Sequence, residues 1–261
     1  MLKILIVEGN SGEIIEEKRR SGVPIGSDLY RDALSIHAPE FQFDVSIPYA
    51  AHLQDRTIDI AEYDGFALTG SGVAWSSSQE EAIPYLKYIE KLFETGKPVI
   101  GSCWGMQTTI QVFGGKCGPN EAGTELGLAE DIRLSQAGRE SWLFKGVPTV
   151  FTSPTIHRDH VTHLPKSFEL LASNRVSRVQ AVEYSGADVN FVGFQFHPEY
   201  ELSYVDAIKQ SSMDLPDTRR VITAFPKKPP AMVSDKSART QVFSNWIKKA
   251  TTEKLGDEKA A

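Results

Sequence analysis

A single cysteine and a His-x-Glu pair are the side chains of this sequence best placed to do covalent chemistry. Cys103 lies in Gly-Ser-Cys-Trp-Gly-Met-Gln (residues 101–107), directly after the apolar residues 98–100. This pattern predicts a buried strand that ends in a sharp turn before a helix, whose positive N-terminus favours a thiolate. His197 and Glu199 follow another apolar run, and their spacing directs both side chains to the same side of a strand. Together the three residues predict a nucleophilic triad of thiol, base and orienting acid.

Two other interpretations of these residues remain open at the level of sequence. A cysteine in a tight strand-to-helix turn can be a buried structural residue, as free cysteines often are. The same turn is typical of α/β-hydrolases, in which the acid precedes the histidine in the chain, and Asp159 would then be the acid. We favour Glu199 because it stands only two residues from His197.

Three histidines that recur every third residue raise the question of a metal site. His157, His160 and His163 lie in a run that is predicted as a loop ending at Pro165, with Arg158 among them. We therefore predict no metal ligands here.

Composition and charge exclude several classes of protein. The chain has 261 residues, enough for a full core, and its 41% hydrophobic and 24% charged residues are ordinary for a globular protein. A net charge of −6 argues against nucleic-acid binding. Two cysteines make no disulfide framework, and no apolar run approaches the ~20 residues of a membrane helix. The apolar N-terminus is too short for a signal peptide, so we expect a cytoplasmic protein that binds neither nucleic acid nor membrane.

Strand-like and helix-like segments alternate in the first half of the chain. This order predicts an α/β fold with a mainly parallel central sheet flanked by helices, and an active site at the carboxyl ends of its strands. The predicted strands cover residues 2–7, 41–47, 66–69 and 98–100, the predicted helices residues 28–37 and 79–95, and a long loop residues 11–27. A further helix is predicted after the turn at Cys103 and ends at residue 113.

The second half predicts shorter strands, several of them antiparallel. We expect a single domain over residues 1–250, in which residues 203–240 form an irregular insertion or a lid. Residues 241–250 are predicted as a terminal helix and residues 251–261 as a flexible polar tail. The short strands are predicted at residues 126–134, 150–155, 168–172, 179–184 and 191–196.

The motifs together resemble those of the class I (triad-type) glutamine amidotransferase family. The resemblance runs from residue 2 to about residue 200, and the chain looks most like the glutaminase domain of GMP synthase and its free-standing homologues. The turn around Cys103 and the block at residues 195–199 are highly specific together. The four blocks are Leu-Thr-Gly-Ser-Gly at 68–72, the turn at 101–107, His-Arg-Asp-His-Val at 157–161 and Gln-Phe-His-Pro-Glu at 195–199.

The resemblance implies a flavodoxin-like fold and hydrolysis of the glutamine side-chain amide without a cofactor. Cys103 would attack the carboxamide and form a γ-glutamyl thioester, with release of ammonia. His197 would take the thiol proton, protonate the leaving nitrogen and activate water, while Glu199 would orient His197 and stabilise its imidazolium.

The resemblance also implies the groups that hold the substrate. The backbone N–H groups of Ser71 and Trp104 would form the oxyanion hole of the tetrahedral intermediate. The substrate-binding residues carried over from the family are Gly70, Gly72, Gln107 and His157.

The chain departs from the GMP synthase pattern in two blocks. The loop at residues 70–72 reads Gly-Ser-Gly where Gly-Gly-Pro is usual, and Ile156 stands where the family often has serine. The loop is more similar to that of the free-standing branch, which includes γ-glutamyl peptidases. The resemblance therefore implies either a glutaminase that supplies ammonia to an acceptor or synthetase partner, or a stand-alone hydrolase of larger γ-glutamyl amides.

Overall fold

A ten-stranded sheet runs through the computed structural model, which describes residues 2–53, 57–186, 189–213, 220–222 and 229–260. A separate two-stranded sheet pairs β5 with β8. The strands are, in chain order, β1 (Lys3–Val7), β2 (Gln42–Ser46), β3 (Gly65–Leu68), β4 (Val99–Ser102), β5 (Lys116–Pro119), β6 (Thr124–Leu134), β7 (Val150–His157), β8 (Asp159–His163), β9 (Phe168–Ser173), β10 (Ala181–Tyr184), β11 (Phe191–Phe194) and β12 (Arg220–Ile222).

The central part of the sheet is parallel, as the sequence predicted. Strands β2, β1, β3, β4 and β11 lie side by side in that order and all run in the same direction. Strands β10, β9 and β6 continue the sheet antiparallel, with β7 and β12 both paired to β6. The carboxyl ends of β3, β4 and β11 therefore meet at one edge, where the predicted active residues follow these strands.

Helices cover both faces of the sheet. Ile4 and Ile6 of β1 pack in one apolar cluster with residues of α2 and α9, while Leu5 and Val7 pack in a second cluster with α3 and α4. A strand buried on both faces in this way is expected in a parallel sheet. The helices are α1 (Gly12–Arg20), α2 (Gly26–Ser35), α3 (Ile83–Phe93), α4 (Trp104–Val112), α5 (Gln136–Glu140), α6 (Leu202–Met213), α7 (Ala231–Ser234), α8 (Lys236–Arg239) and α9 (Gln241–Ala260).

The long loop predicted over residues 11–27 is wrong in its first half, because α1 occupies residues 12–20. This helix is mostly polar and buries only Ile15, which packs with Ile25, Ile47 and Ala50. A single apolar anchor gives no helical period in the sequence, so the pattern could not predict the helix.

The histidine run predicted as a loop is instead part of two strands. His157 ends β7, while His160 and His163 belong to β8, which pairs antiparallel with β5. Neither β5 nor β8 was predicted, since both strands are short and their pairing partner is distant in the chain.

Helices and a short strand occupy the described part of the C-terminal region. The elements α6, β12, α7 and α8 lie wholly or almost wholly within residues 203–240, where an irregular insertion or a lid was expected. Residues 214–219 and 223–228 of this segment lie outside the described residues. Helix α9 continues past residue 250 to Ala260, where a flexible tail was expected. Among the described residues, no helix has the length and apolar character needed to span a membrane.

Candidate active site

The strand-to-helix turn predicted at Cys103 is present, and its backbone is strained at the cysteine. Cys103 lies between β4 and α4 with φ = 48° and ψ = −104°. A positive φ outside glycine costs of the order of 1–3 kcal/mol, so the surrounding structure must hold it in place. Gly105 lets the turn close, because a Cβ there would lie 2.6 Å from the carbonyl oxygen of Leu68. The turn thus presents Cys103 at the carboxyl end of β4 and the N-terminus of α4.

His197 and Glu199 follow β11 and are joined through their side chains. Nδ1 of His197 lies 2.6 Å from Oε1 of Glu199, and both side chains are buried. The backbone N–H of His197 donates to the carbonyl oxygen of Pro154 (2.8 Å), which anchors the turn to β7. Because Nδ1 is bonded to Glu199, Nε2 is the ring nitrogen left to interact with Cys103, whose Sγ is 3.7 Å from the carbonyl oxygen of Ile156. The structure therefore brings together the three side chains that the sequence placed in a triad.

The surroundings of His197 favour its charged form. Burial by itself would lower the pKa of His197, but the Glu199 carboxylate and the hydrogen bonds to Cys103 and Glu199 outweigh burial and raise the pKa to about 10. The ring is therefore held more strongly in its protonated form than an ordinary imidazole is.

This shift predicts a pH-dependent contribution of His197 to stability. A pKa that rises from 6.5 to about 10 on folding adds stability that is fully present below 6.5 and is lost as the pH rises through about 10. Chemical denaturation of the protein and of His197→Gln at about pH 6, 8 and 10.5 should show a difference in unfolding free energy that shrinks as the pH rises. His163→Gln, at an exposed histidine, provides the control for the substitution itself. A His197→Gln difference that stays constant with pH would contradict the assignment.

A cavity of about 200 Å³ opens beside the Cys103 sulfur. Ser71 and Trp104, the two residues expected to supply the oxyanion hole, both line it. In the part of the chain that the structure describes, the backbone N–H of neither residue donates to a protein oxygen. Gly70 lies close to the triad, because a Cβ at this position would stand 2.6 Å from Cε1 of His197.

Gln107 and His157 also line the cavity, but their polar atoms are largely bonded to the protein. The side-chain amide of Gln107 donates to the carbonyl oxygen of Asp159 (2.8 Å) and to Oε1 of Gln195 (3.1 Å). The ring of His157 bonds to the same carbonyl oxygen through Nδ1 (2.9 Å) and to the buried Glu125 carboxylate through Nε2 (2.7 Å). These contacts support the wall of the cavity, and they leave His157 no ring nitrogen with which to bind a substrate.

The alternative acid of the triad, Asp159, lies apart from His197. Its carboxylate bonds to Nε of Arg158 (2.7 Å) and to the hydroxyl of Ser76, while His197 is bonded to Glu199. Among the described residues, the carboxylate bonded to the His197 ring is therefore that of Glu199. Within the described ranges, no three His, Cys, Asp or Glu side chains are grouped as metal ligands would be.

Comparison with known families identifies the chain. The family model described as glutamine amidotransferase class-I matches residues 38–207, which include the turn at Cys103 and the His197–Glu199 pair. The chain belongs to the class-I glutamine amidotransferase family.

Curated relatives of this amidotransferase include both synthetases and hydrolases. A γ-glutamyl-L-1-hydroxyisopropylamide hydrolase from Pseudomonas sp. is 27% identical over 201 residues, which are 76% of this chain and 68% of the relative. A GMP synthase from Chlorobium luteolum is 35% identical over 147 residues, 54% of this chain and 27% of the relative. The γ-glutamyl peptidase 5 of Arabidopsis thaliana is 29% identical over 143 residues, 54% of this chain and 56% of the relative. The chain thus spans about half of the plant peptidase and about a quarter of the GMP synthase.

Solved structures share the fold of the amidotransferase along nearly its whole length. A glutamine amidotransferase from Thermotoga maritima has a TM-score of 0.63 at 17% identity, covering 95% of this chain and 97% of its own. A glutamine amidotransferase from Methylobacillus flagellatus has a TM-score of 0.58 at 17% identity, covering 95% and 94%.

Two residues that sequence reasoning missed support the loop at Gly70 to Gly72 in this amidotransferase. Oδ1 of Asn10 accepts from the backbone N–H of Gly72 (2.8 Å), and its Nδ2 donates to the buried carboxylate of Glu8 (2.6 Å). Glu8 in turn accepts from the backbone N–H of Ser27 (2.7 Å). A carboxylate directly after a buried apolar strand was the signal that could have pointed to Glu8.

A third missed residue, Arg239, reaches the triad from α8. Its buried guanidinium donates through Nε to the carbonyl oxygen of Pro198 (3.1 Å), between His197 and Glu199, and through Nη1 to that of Val233 (2.8 Å). Residues 229–240 therefore brace the His-Pro-Glu turn. No local pattern in the sequence indicates a contact that joins residues so far apart in the chain.

Proposed function

We propose that this amidotransferase hydrolyses the γ-carboxamide of glutamine or of another γ-glutamyl compound through a thioester on Cys103. The observation that supports this most is the buried hydrogen bond between the His197 ring and the Glu199 carboxylate, next to Cys103, which itself lines a cavity. A thiol, a base and an orienting acid in this arrangement are the parts of a nucleophilic acyl-transfer site.

The first half-reaction forms the thioester. The Cys103 thiolate attacks the amide carbon, and the carbonyl oxygen takes the negative charge of the tetrahedral intermediate. The N–H groups of Ser71 and Trp104 would stabilise that charge, an interaction whose loss typically costs about 10²–10³ in turnover. The intermediate collapses as the His197 imidazolium gives its Nε2 proton to the leaving nitrogen, and the C–N bond breaks to release ammonia or an amine.

The second half-reaction regenerates the thiol. Neutral His197 takes a proton from water, and the resulting hydroxide attacks the thioester carbon. The C–S bond breaks, glutamate leaves and Cys103 departs as the thiolate beside the imidazolium. Glu199 keeps Nδ1 protonated and holds the ring in place during both halves, as the acid of a triad does.

A second candidate is a stand-alone hydrolase of γ-glutamyl amides larger than glutamine. The specific observation in its favour is the length of the match: 68% of the γ-glutamyl-L-1-hydroxyisopropylamide hydrolase is covered, against 27% of the GMP synthase. In the first candidate, the ammonia would pass to an acceptor or to a synthetase partner; in the second, no partner is needed.

Substrate choice can be tested by measuring glutamate release from glutamine, glutathione and a γ-glutamyl alkylamide. We expect release from at least one of them, because each presents the same γ-glutamyl acyl group to Cys103. Asparagine is the matched control, since its shorter chain should not reach the sulfur. Turnover of glutamine favours the glutaminase, and turnover of the alkylamide alone favours the stand-alone hydrolase. The absence of glutamate release from all three substrates would contradict both candidates.

A further inference from the structure

Two buried hydroxyl groups, one on helix α2 and one at the end of β4, link these elements to the Glu199 carboxylate. Oγ of Ser102, the residue directly before the nucleophile, donates to Oε1 of Glu199 (2.9 Å). The hydroxyl of Tyr30, on α2, donates to Oγ of Ser102 (2.8 Å). We propose that Ser102 and Tyr30 are positioning residues that fix the Glu199 carboxylate and, through it, the His197 ring. The proposal rests on the hydrolase function of the same site.

The Glu199 carboxylate, which can only accept, determines which group donates in each of these two hydrogen bonds. The Glu199 carboxylate accepts at Oε1 from both Nδ1 of His197 and the hydroxyl of Ser102. Ser102 therefore uses its one proton toward Glu199 and must accept from Tyr30. Burial, and after it the nearby Glu199 charge, raise the pKa of Tyr30 well above 10.0, so this hydroxyl keeps its proton as a donor.

Ser102 bonds to the side-chain carboxylate of Glu199, whereas the neighbouring contacts of this turn reach only its backbone. Pro154 and Arg239 bind the backbone around His197 and Glu199, but they do not bond to the carboxylate. Among the described residues, Ser102 is the one donor to that carboxylate besides His197. Without it the carboxylate could rotate about its last torsion, and the Nδ1–H bond that aligns the imidazole would lose its direction.

Burial makes the three polar groups depend on one another. Tyr30 and Ser102 are fully buried and Glu199 is 3% exposed, so water cannot replace a lost partner at little cost. Tyr30 is also held by packing, with its ring centroid 5.3 Å from that of Phe243 on α9. The hydroxyl pair therefore couples the covering helices to the orientation of the triad acid.

The test is a set of four variants assayed for turnover and for alkylation of Cys103. Ser102→Ala should lower kcat by about 10- to 100-fold with less than about threefold change in KM, because a hydrogen bond to a charged group is lost while the cavity is intact. Ser102→Thr keeps the hydroxyl and should recover most of the loss. Tyr30→Phe removes one oxygen without loss of packing and should lower kcat several-fold. The double variant should lose little more than Ser102→Ala, since Tyr30 acts through Ser102.

Alkylation of Cys103 by iodoacetamide, followed by peptide mass spectrometry, reports the thiolate without any substrate. We expect it to slow in Ser102→Ala and to recover in Ser102→Thr. If the unaltered protein turns over no γ-glutamyl amide but alkylation follows this pattern, the proposed function fails and the positioning role stands. If kcat and alkylation are unchanged in Ser102→Ala and Tyr30→Phe, or if the double variant shows additive losses, the positioning role is overturned.

Discussion

Replacing Cys103 with alanine should lower kcat for γ-glutamyl amide hydrolysis by at least about 10⁴-fold, as loss of the nucleophile does in enzymes of this kind. The reaction needs a sulfur that can form and release an acyl bond, and no other described thiol is near the His197 ring. KM should change little, because the cavity walls remain. Initial rates of glutamate release, measured with the best substrate found above, provide the test.

Cys117 is the matched control for this experiment. It is also buried, but burial raises its pKa to about 12 and its Sγ bonds to the backbone oxygen of Gln107 (3.5 Å), so it is an inert thiol. Cys117→Ser should retain most of the turnover, and iodoacetamide should modify Cys103 in preference to Cys117. Near-normal turnover by Cys103→Ala would show that another residue is the nucleophile.

Replacing Gly70 with alanine should lower kcat by about 10²-fold while the protein remains folded. The added Cβ would lie 2.6 Å from Cε1 of His197, closer than unbonded carbons approach one another. The His197 ring is fixed by the hydrogen bond between its Nδ1 and Glu199. The loop backbone is fixed to β1 by the hydrogen bond from the Thr69 N–H to the Val7 carbonyl oxygen (3.1 Å). One of the two must shift, and small misplacements of a catalytic group cost about this much.

Gly72→Ala separates this effect from a general effect on the loop. A Cβ at Gly72 would stand 3.6 Å from Oδ1 of Asn10, an ordinary contact, so the loss of kcat should be well below tenfold. Thermal unfolding of both variants would show whether either change acts through stability. Equal losses in the two variants would mean that the clash with His197 is not what limits Gly70→Ala.

Much of the site could be predicted because its signals are local. The strand, turn and helix at Cys103 occupy neighbouring residues, and the two-residue spacing of His197 and Glu199 directs both side chains to one side. The parallel sheet followed from the alternation of apolar strands and helices. The partners of His157 could not be predicted in the same way, because a histidine next to a cavity gives no sign in the sequence of what its ring nitrogens contact.

Helix α1 and the β5–β8 pair could not be predicted for a related reason. A mostly polar helix is stabilised by one buried isoleucine and by the neighbours that surround it, which the sequence does not reveal. Two short strands separated by residues 120–158 pair because the rest of the fold brings them together, not because of their own propensity.

The sequence by itself determined which side chains are candidates for the nucleophile, the base and the acid, since each motif depends on residues only a few positions apart. The tertiary structure alone decided what holds them: Ser102 meets Glu199 across 97 residues of chain, Tyr30 meets Ser102 across 72, and Arg239 meets Pro198 across 41. A hydrogen bond between buried side chains requires both partners at a fixed distance and angle. That geometry arises only after the sheet has formed and the helices have packed on its faces.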